Sequence, residues 1–161
     1  NDNSMVTYEG SHPAHKWKGV SLDVKGGIIC ESDSCTIQVI VPLGTFDSGS
    51  SGRDSNMLFS TESHKYPYVK YYSDSFSIKA IKHKESSIHL SGYIEFHGII
   101  KDISSDISII HQDSILLGIS NFSISLDDYK INKPQLLFIP ISDEIKLNCN
   151  LYCDNIFNTL K

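Results

Sequence analysis

Gly44-Thr45-Phe46-Asp47-Ser48-Gly49-Ser50-Ser51-Gly52-Arg53-Asp54-Ser55-Asn56-Met57-Leu58-Phe59 opens a stretch that runs on through His64 and Lys65 to Tyr66-Pro67-Tyr68-Val69-Lys70-Tyr71-Tyr72. On both sides of it apolar and polar residues alternate as in half-buried strands. Here the period of two breaks, and a polar, Gly-rich connection leads into the apolar run Met57, Leu58, Phe59. This is the one long excursion in an otherwise meandering β chain. It also holds the best helical candidate, one or two turns between Ser55 and Ser63 with Ser55 as the cap.

Outward from that loop, Cys35 to Leu43 is the cleanest strand, with Ile37, Val39 and Val41 on one side. Upstream, Ser4 to Gly10 reads as a first strand. His12-Pro13-Ala14-His15 reads as a bend and Trp17 as a buried or rim anchor. Gly19 to Cys30 alternates Val20, Leu22 and Val24 against Ser21, Asp23 and Lys25. Downstream, Tyr68 to Tyr72 and Ser75 to His83 continue the β pattern, the latter with Phe76, Ile78 and Ala80 on one face. Ser86 to Ile100 reads as a long strand, with His89, Tyr93, Glu95 and His97 on one face and Leu90, Ile94 and Phe96 on the other. Ile103 to His111 and Ile115 to Leu126 repeat the alternation, and Leu136 to Phe138 with Ile145 to Leu151 supplies a closing strand. Eight or so strands at hairpin spacing predict an all-β antiparallel barrel or sandwich with little helix.

At 161 residues, 40% hydrophobic and 20% charged, the chain suits one domain, 1–161, with a sizeable core. A net charge of −5 and a pI near 5.7, with no Lys/Arg cluster, argue against a nucleic-acid partner. Apolar runs fall short of the roughly 18 to 20 residues that span a bilayer, so no transmembrane segment is expected. A chain beginning at Asn1 matches a secreted protein whose signal peptide has been removed, and equally a trimmed piece.

Cys30 and Cys35 flank a polar turn, Glu31 to Ser34, so a hairpin sets them opposite one another. Opposed Cα atoms about 4.5 to 5.5 Å apart can be bridged, which predicts a disulfide and an oxidising compartment. Cys149 and Cys153 would lie about 13 Å apart on a continuous strand and pair only if the chain turns after Leu151. Otherwise they are two buried thiols.

Three arrangements tempt a catalytic or metal reading. Asp47-Ser48-Gly49 resembles half of an aspartic-protease dyad, but one copy needs a symmetric partner, and a Gly/Ser turn explains it as well. His89 and His97, about 26 Å apart along a strand, cannot share an ion, whereas His12 and His15 can bind one with outside help. The chain carries no nucleophile elbow, no His-Glu-x-x-His and no phosphate-cradling loop, so no enzyme, cofactor or resident metal is predicted.

Several motifs, in order, resemble the YceI-like family. Arg53-Asp54 with Met57 and Leu58 is similar to its Arg-Asp-x-x-Leu. Tyr66, Pro67, Val69 and Tyr71 are similar to its Tyr-Pro-x-Ile-x-Phe. Gly92 to Gly98 with Lys101 and the closing Asp143-Glu144-Ile145 follow, so the likeness runs from about Tyr8 to Leu151. It implies a single lipocalin-like antiparallel β-barrel of about eight strands, with a long loop containing a short helix. It implies too a periplasmic or secreted bacterial protein that binds, stores or carries a long amphiphile, polyisoprenoid or fatty-acid type, in its lumen. Some relatives are dimeric, which leaves a homodimer open. The partner so implied is a hydrophobic small molecule, a bound lipid rather than a cofactor.

Two departures stand out. The family often has an Arg shortly before its Asp-Phe-Gly, where Leu126 precedes Asp128-Tyr129-Lys130 here, and the chain is short. If the barrel closes, Ile37 and Val39, Ile94 and Phe96, Ile107 and Ile109, Phe122 and Ile124, and Leu147 with Cys149 point inward. Met57, Leu58 and Phe59 then cover one end, lining a pocket or plugging it, with Tyr66, Tyr68 and Tyr71 along the approach. Arg53 either holds an anionic headgroup or, with Asp54, fixes the loop. A stress-related or surface-interaction barrel with a filled lumen, and a metal-binding protein, are the alternatives.

Overall fold

The computed structural model describes residues 3–112 and 115–154. In chain order its strands are β1 (Met5–His12), β2 (His15–Ser21), β3 (Lys25–Glu31), β4 (Ser34–Pro42), β5 (Tyr68–Ser73), β6 (Phe76–Ser77), β7 (Glu85–Phe96), β8 (Ile99–Gln112), β9 (Ile115–Ser125), β10 (Gln135–Leu136), β11 (Ile139–Pro140) and β12 (Glu144–Asp154). One helix, α1 (Ser51–Ser60), and two 3₁₀ turns, Leu43–Thr45 and Ile78–Ile81, complete the described elements.

Nine strands follow one antiparallel path, β2-β1-β12-β9-β8-β7-β5-β4-β3, with β6 appended to β4, and β10–β11 forms a separate hairpin. The expected fold class holds: a lipocalin-like antiparallel barrel with a short helix in its long loop. Its sheet curls without full closure. Among the described residues the edge strands β2 and β3 share no ladder. β2 instead meets the segment that follows β4 and its 3₁₀ turn through reciprocal backbone bonds, Val20 N–H to Asp47 O and Asp47 N–H to Val20 O, both 2.9 Å, beside a 2.7 Å Ser21–Thr45 hydroxyl pair.

Period-two alternation sets the inner face. Along β9, Leu116, Gly118, Ser120, Phe122 and Ile124 point inward, as do Ile103, Ser105, Ile107 and Ile109 on β8, which is the phase the sequence predicts. In β2 the phase differs: Leu22 is 66% exposed beyond the strand end, while Gly19 and Ser21 are buried. Small residues are needed there because Tyr8 lies across from Gly19, where a Cβ would sit 2.2 Å from the ring.

Four sequence expectations need correction. The strand expected over 86–100 ends at Phe96, because Phe96 pairs with Ile99 and His97-Gly98 forms the two-residue turn between them. Both turn residues have positive φ, 52° and 71°, as a type I′ hairpin requires. His97 therefore leaves the strand face it was expected to share with His89; its Nδ1 lies 2.8 Å from the Tyr129 carbonyl oxygen. Only Phe76–Ser77 of the 75–83 stretch is strand, and the 3₁₀ turn after it buries both Ile78 and Ile81. Leu136 to Phe138 is no part of the closing strand but the exposed tip of β10–β11.

Helix α1 also begins earlier than predicted, after Ser50 rather than Ser55, and Ser50 makes no side-chain cap bond. Asp54, in the first turn, accepts the Ser48 N–H at 3.1 Å, placing a carboxylate where the helix dipole favours one. Nor does Asp47 resemble a catalytic acid: its carboxylate accepts the Gly49 N–H at 2.7 Å, an Asx turn.

Cys30 and Cys35 are opposed in the β3–β4 ladder, 4.1 Å apart at Cα, and joined by a disulfide. Closing so short a loop contributes about 2 kcal/mol in the chain-entropy account, so the bond mainly pins this turn.

Gly92 supplies a stability test, since a Cβ there would lie 2.3 Å from the Tyr72 carbonyl oxygen and 2.8 Å from Ser73 Cα, both backbone atoms that cannot swing away. Gly92→Ala is expected to destabilise by about 1 to 3 kcal/mol. Gly27→Ala, where nothing lies within 4 Å, should change stability by no more than about 0.5 kcal/mol. Urea unfolding of both checks this, and equal midpoints would refute the close approach.

Candidate lumen site

The curled sheet encloses a cavity of about 520 Å³, so its own side chains do not fill the barrel. Its wall is built strand by strand from the inward phase: Val39 and Val41 on β4, Ile94 and Phe96 on β7, Ile107 and Ile109 on β8, Phe122 and Ile124 on β9, Leu147 and Cys149 on β12. Gly118, Ser105 and Ser120 leave the space. No large side chain projects from that patch, and the two serines satisfy one another at 3.0 Å between hydroxyls. A cavity this size, apolar with few polar groups, is of the kind that takes small apolar ligands.

Two titratable groups of the wall are held neutral by their surroundings. Burial pushes the Cys149 thiol up to about 12. Burial, then the charge of Asp74 and the neighbouring Cys149, pushes Tyr71 up to about 12 as well. The Tyr71 hydroxyl is buried with no hydrogen-bond partner among the described residues. Cys149 and Cys153 both face the cavity from β12, which runs straight through Leu151 to Asp154 and pairs them with Ser120 and Leu116. The turn they would need for pairing is absent, and neither is in a disulfide.

Polar groups collect at one end. One face of α1 presents Arg53, Asn56, Met57 and Ser60, spaced at helical intervals. The β1–β2 hairpin brings His12, His15 and Trp17, and Pro134 to Leu136 forms the third side. Arg53 is the sole Lys, Arg, Asp or Glu in the described wall. Its guanidinium donates to the Ser48 carbonyl at 3.2 Å and lies 5.7 Å from the centre of the Trp17 ring, so it is both tied to the loop and held at the opening. The Ser48 bond ties Arg53 to the loop backbone. Asp54 turns away to the loop backbone.

His12 is 6% exposed, and its Nδ1 accepts the Ala14 N–H at 3.2 Å. That bond makes Nε2 the protonated ring nitrogen. The Nε2 donor is buried with no hydrogen-bond partner among the described residues. The His12 and His15 rings lie 5.9 Å apart, and no group of three His, Cys, Asp or Glu among the described residues is set to hold a metal ion.

Of the residues singled out from sequence, Arg53, Met57, Tyr71, Ile94, Phe96, Ile107, Ile109, Phe122 and Ile124 line the cavity together. The other four lie outside the lining. Leu58 packs on the core beneath α1, Phe59 is 86% exposed on the outer side, and Tyr68 is exposed on β5. Tyr66 packs edge-on to His97 with ring centres 5.1 Å apart. A 10-residue helix shows only one stripe inward, so three consecutive apolar residues cannot all face the lumen. Tyr8 and His12 were missed as lining residues, and for Tyr8 a signal existed: it opposes Gly19, as Trp17 opposes Gly10, aromatic rings laid over glycines across one hairpin.

The sequence pattern of the YceI-like domain matches residues 1–153. Among solved structures, a polyisoprenoid binding domain from Saccharophagus degradans, described as implicated in plant cell wall breakdown, superposes with a TM-score of 0.83. It is 14% identical, over 96% of this chain and 95% of its own. Burkholderia cenocepacia BcnA gives 0.76 at 11% identity, over 93% and 96%. The Campylobacter jejuni YCEI protein gives 0.64 at 18%, over 82% and 81%. These likenesses show the fold. No curated protein matches the sequence.

The raised Cys149 thiol has a testable sign. A group whose folded pKa exceeds its ordinary value of 9.0 stabilises the fold below that value, and the contribution disappears as pH climbs toward about 12. Cys149→Ala is therefore expected to lose less stability than the parent protein between about pH 9 and 12, with the buried hydroxyls of Tyr71, Tyr129 and Tyr8, also raised by burial, contributing to what remains. Unfolding free energies across that range check it, and parallel curves would place the thiol in water.

Proposed function

The chain belongs to the YceI-like family, and from that premise we propose that it is a non-enzymatic carrier of a long-chain amphiphile, polyisoprenoid or fatty-acid in type, in a secreted bacterial setting. The observation that carries this reading is a lumen of about 520 Å³ with apolar walls and one charged residue, Arg53, at its opening. An apolar tail lies along Ile107, Ile109, Phe122 and Ile124. The polar head meets the Arg53 guanidinium, the buried Nε2–H of His12 and the amide of Asn56. A charged donor beside an unsatisfied neutral one suits an anionic or strongly polar headgroup.

Burying 200 to 400 Å² of tail at about 25 cal/mol per Å² gains roughly 5 to 10 kcal/mol before the costs of association, enough for retention through purification. The Cys30–Cys35 disulfide fits an oxidising compartment. Walls with no Asp or Glu among their described residues, and a thiol and phenol held neutral by burial, suit holding a chain rather than transforming it.

Filling the lumen separates binding from folding. At Gly118 a Cβ finds its nearest neighbour, Ile107 Cγ2, at 3.8 Å, so Gly118→Leu adds apolar volume to open space. The variant is expected to stay folded and to carry several-fold less extractable amphiphile than the parent, while Glu95→Ala on the outer face carries the normal load. Native mass spectrometry of detergent-free protein measures this. An undiminished load in folded Gly118→Leu would sink the lumen assignment.

A further inference from the structure

We propose that the β10–β11 hairpin is a membrane-docking finger that sets the mouth of the lumen against a lipid bilayer. Four consecutive apolar residues crown it: Leu136 is 45% exposed, Leu137 79%, Phe138 95% and Ile139 46%. Singly exposed apolar residues are ordinary, but an unbroken run at a projecting tip calls for a reason. Backbone conformation adds a second, independent sign. Leu136 pairs with Ile139, so Leu137 and Phe138 form a two-residue turn with φ of 52° and 67°. Asn-Gly adopts that turn at little cost, whereas bulky side chains are strained in it, and strain of this kind concentrates at functional sites. A sequence selected only to make a tight turn would not place Leu and Phe there.

Position identifies the occupant. Leu136 belongs to the exposed crown and also lines the lumen, so tip and cavity form one continuous apolar surface. The finger is held to the barrel rim by Ser142 N–H to the Ser11 carbonyl at 2.8 Å, beside the hairpin that carries His12 and Trp17. Phe59 provides a further exposed ring on α1, whose other face lines the same opening. A convex tip of four side chains falls well short of the ~800 Å² per partner that a stable protein interface buries. It does suit insertion into the boundary between headgroups and acyl chains, where burial rather than shape matching supplies the affinity.

Electrostatics narrows the surface. The nearby Lys133 is bound to both Asp127 and Asp143, and the chain is acidic overall, so docking is apolar and does not depend on anionic lipid. The choice of a bilayer rests in part on the lumen reading above, since a long amphiphile resides in membranes and a continuous apolar path spares it from crossing water.

The test is flotation of the full chain with vesicles of phosphatidylcholine alone, at low and high salt. Wild type is expected to float with the vesicles equally at both. Leu137→Asn with Phe138→Gly supplies the residues the turn prefers, so it keeps or strengthens the hairpin while removing the crown. Its vesicle partitioning should fall about tenfold or more. Partitioning equal to wild type, or no wild-type flotation, overturns the proposal. So does a dimer in size-exclusion chromatography that the double substitution dissolves in the absence of vesicle binding, because the finger would then cover a second copy of this chain. Gly118→Leu separates the two readings. Vesicle binding that persists as the load falls supports both, whereas vesicle binding by folded Gly118→Leu with an undiminished amphiphile load supports the finger and removes the lumen reading. An amphiphile-loaded protein that ignores vesicles does the reverse.

Discussion

Register in the β8–β9–β12 ladder is the constraint on which the rest of the molecule depends. β9 pairs with β12 over eleven residues, from Glu144–Ser125 to Asp154–Ile115, and with β8 from Ile107–Ser120 to Gln112–Ile115. Side chains alternate faces with a period of two, so a one-residue slip would turn Phe122, Ile124, Leu147 and Cys149 outward and bring Asn121 and Asn148 inside. Those two asparagines hydrogen-bond to each other across the outer face, and the phase is thereby held from both sides. Gly118, Ser105 and Ser120 then meet on the inner surface, and the space they leave follows from the register.

The loop that follows β9 depends on a single carboxylate. Asp143 accepts the Ser125 hydroxyl at 2.5 Å, the Asp127 N–H at 2.9 Å and the Lys133 ammonium at 3.1 Å, and these partners hold its carboxyl down at about 2. This joins the start of β12 to the end of β9 and carries the chain between them across the mouth. Binding elements on such a barrel sit in the loops, because the strands are committed to the wall. The opening is accordingly assembled from α1, the β1–β2 hairpin and this connection.

The strands and their inward phase were legible because alternation reports burial directly, and Ile107, Ile109, Phe122 and Ile124 needed no more than that. Two kinds of feature were hidden. The His97-Gly98 turn was hidden because Gly98 continues the apolar phase of Phe96, and His in a left-handed conformation leaves little trace in composition. Leu136 to Phe138 misled for a related reason: three apolar residues read as strand core, yet the curled sheet already had its closing strand at Glu144–Asp154 and left them outside. In α1 the apolar run marked the helix, but rotation about its axis, which separates Met57 from Phe59, goes with packing of Met57 and Leu58 on the core and the contact of Arg53 with Trp17, partners that lie far away in sequence.

The seam between β2 and the segment that follows β4 bears on how the molecule moves. A closed barrel opens only by breaking a full ladder, whereas here, among the described residues, two reciprocal amide bonds between Val20 and Asp47 and one hydroxyl pair tie the edge strand β2 to the segment after β4. In hydrogen-exchange terms, such a join is a small cooperative unit whose opening costs far less than unfolding the β7–β8 pair. The sheet is therefore better pictured as a clasp than as a cylinder, able to widen its girth while the long central hairpins stay intact.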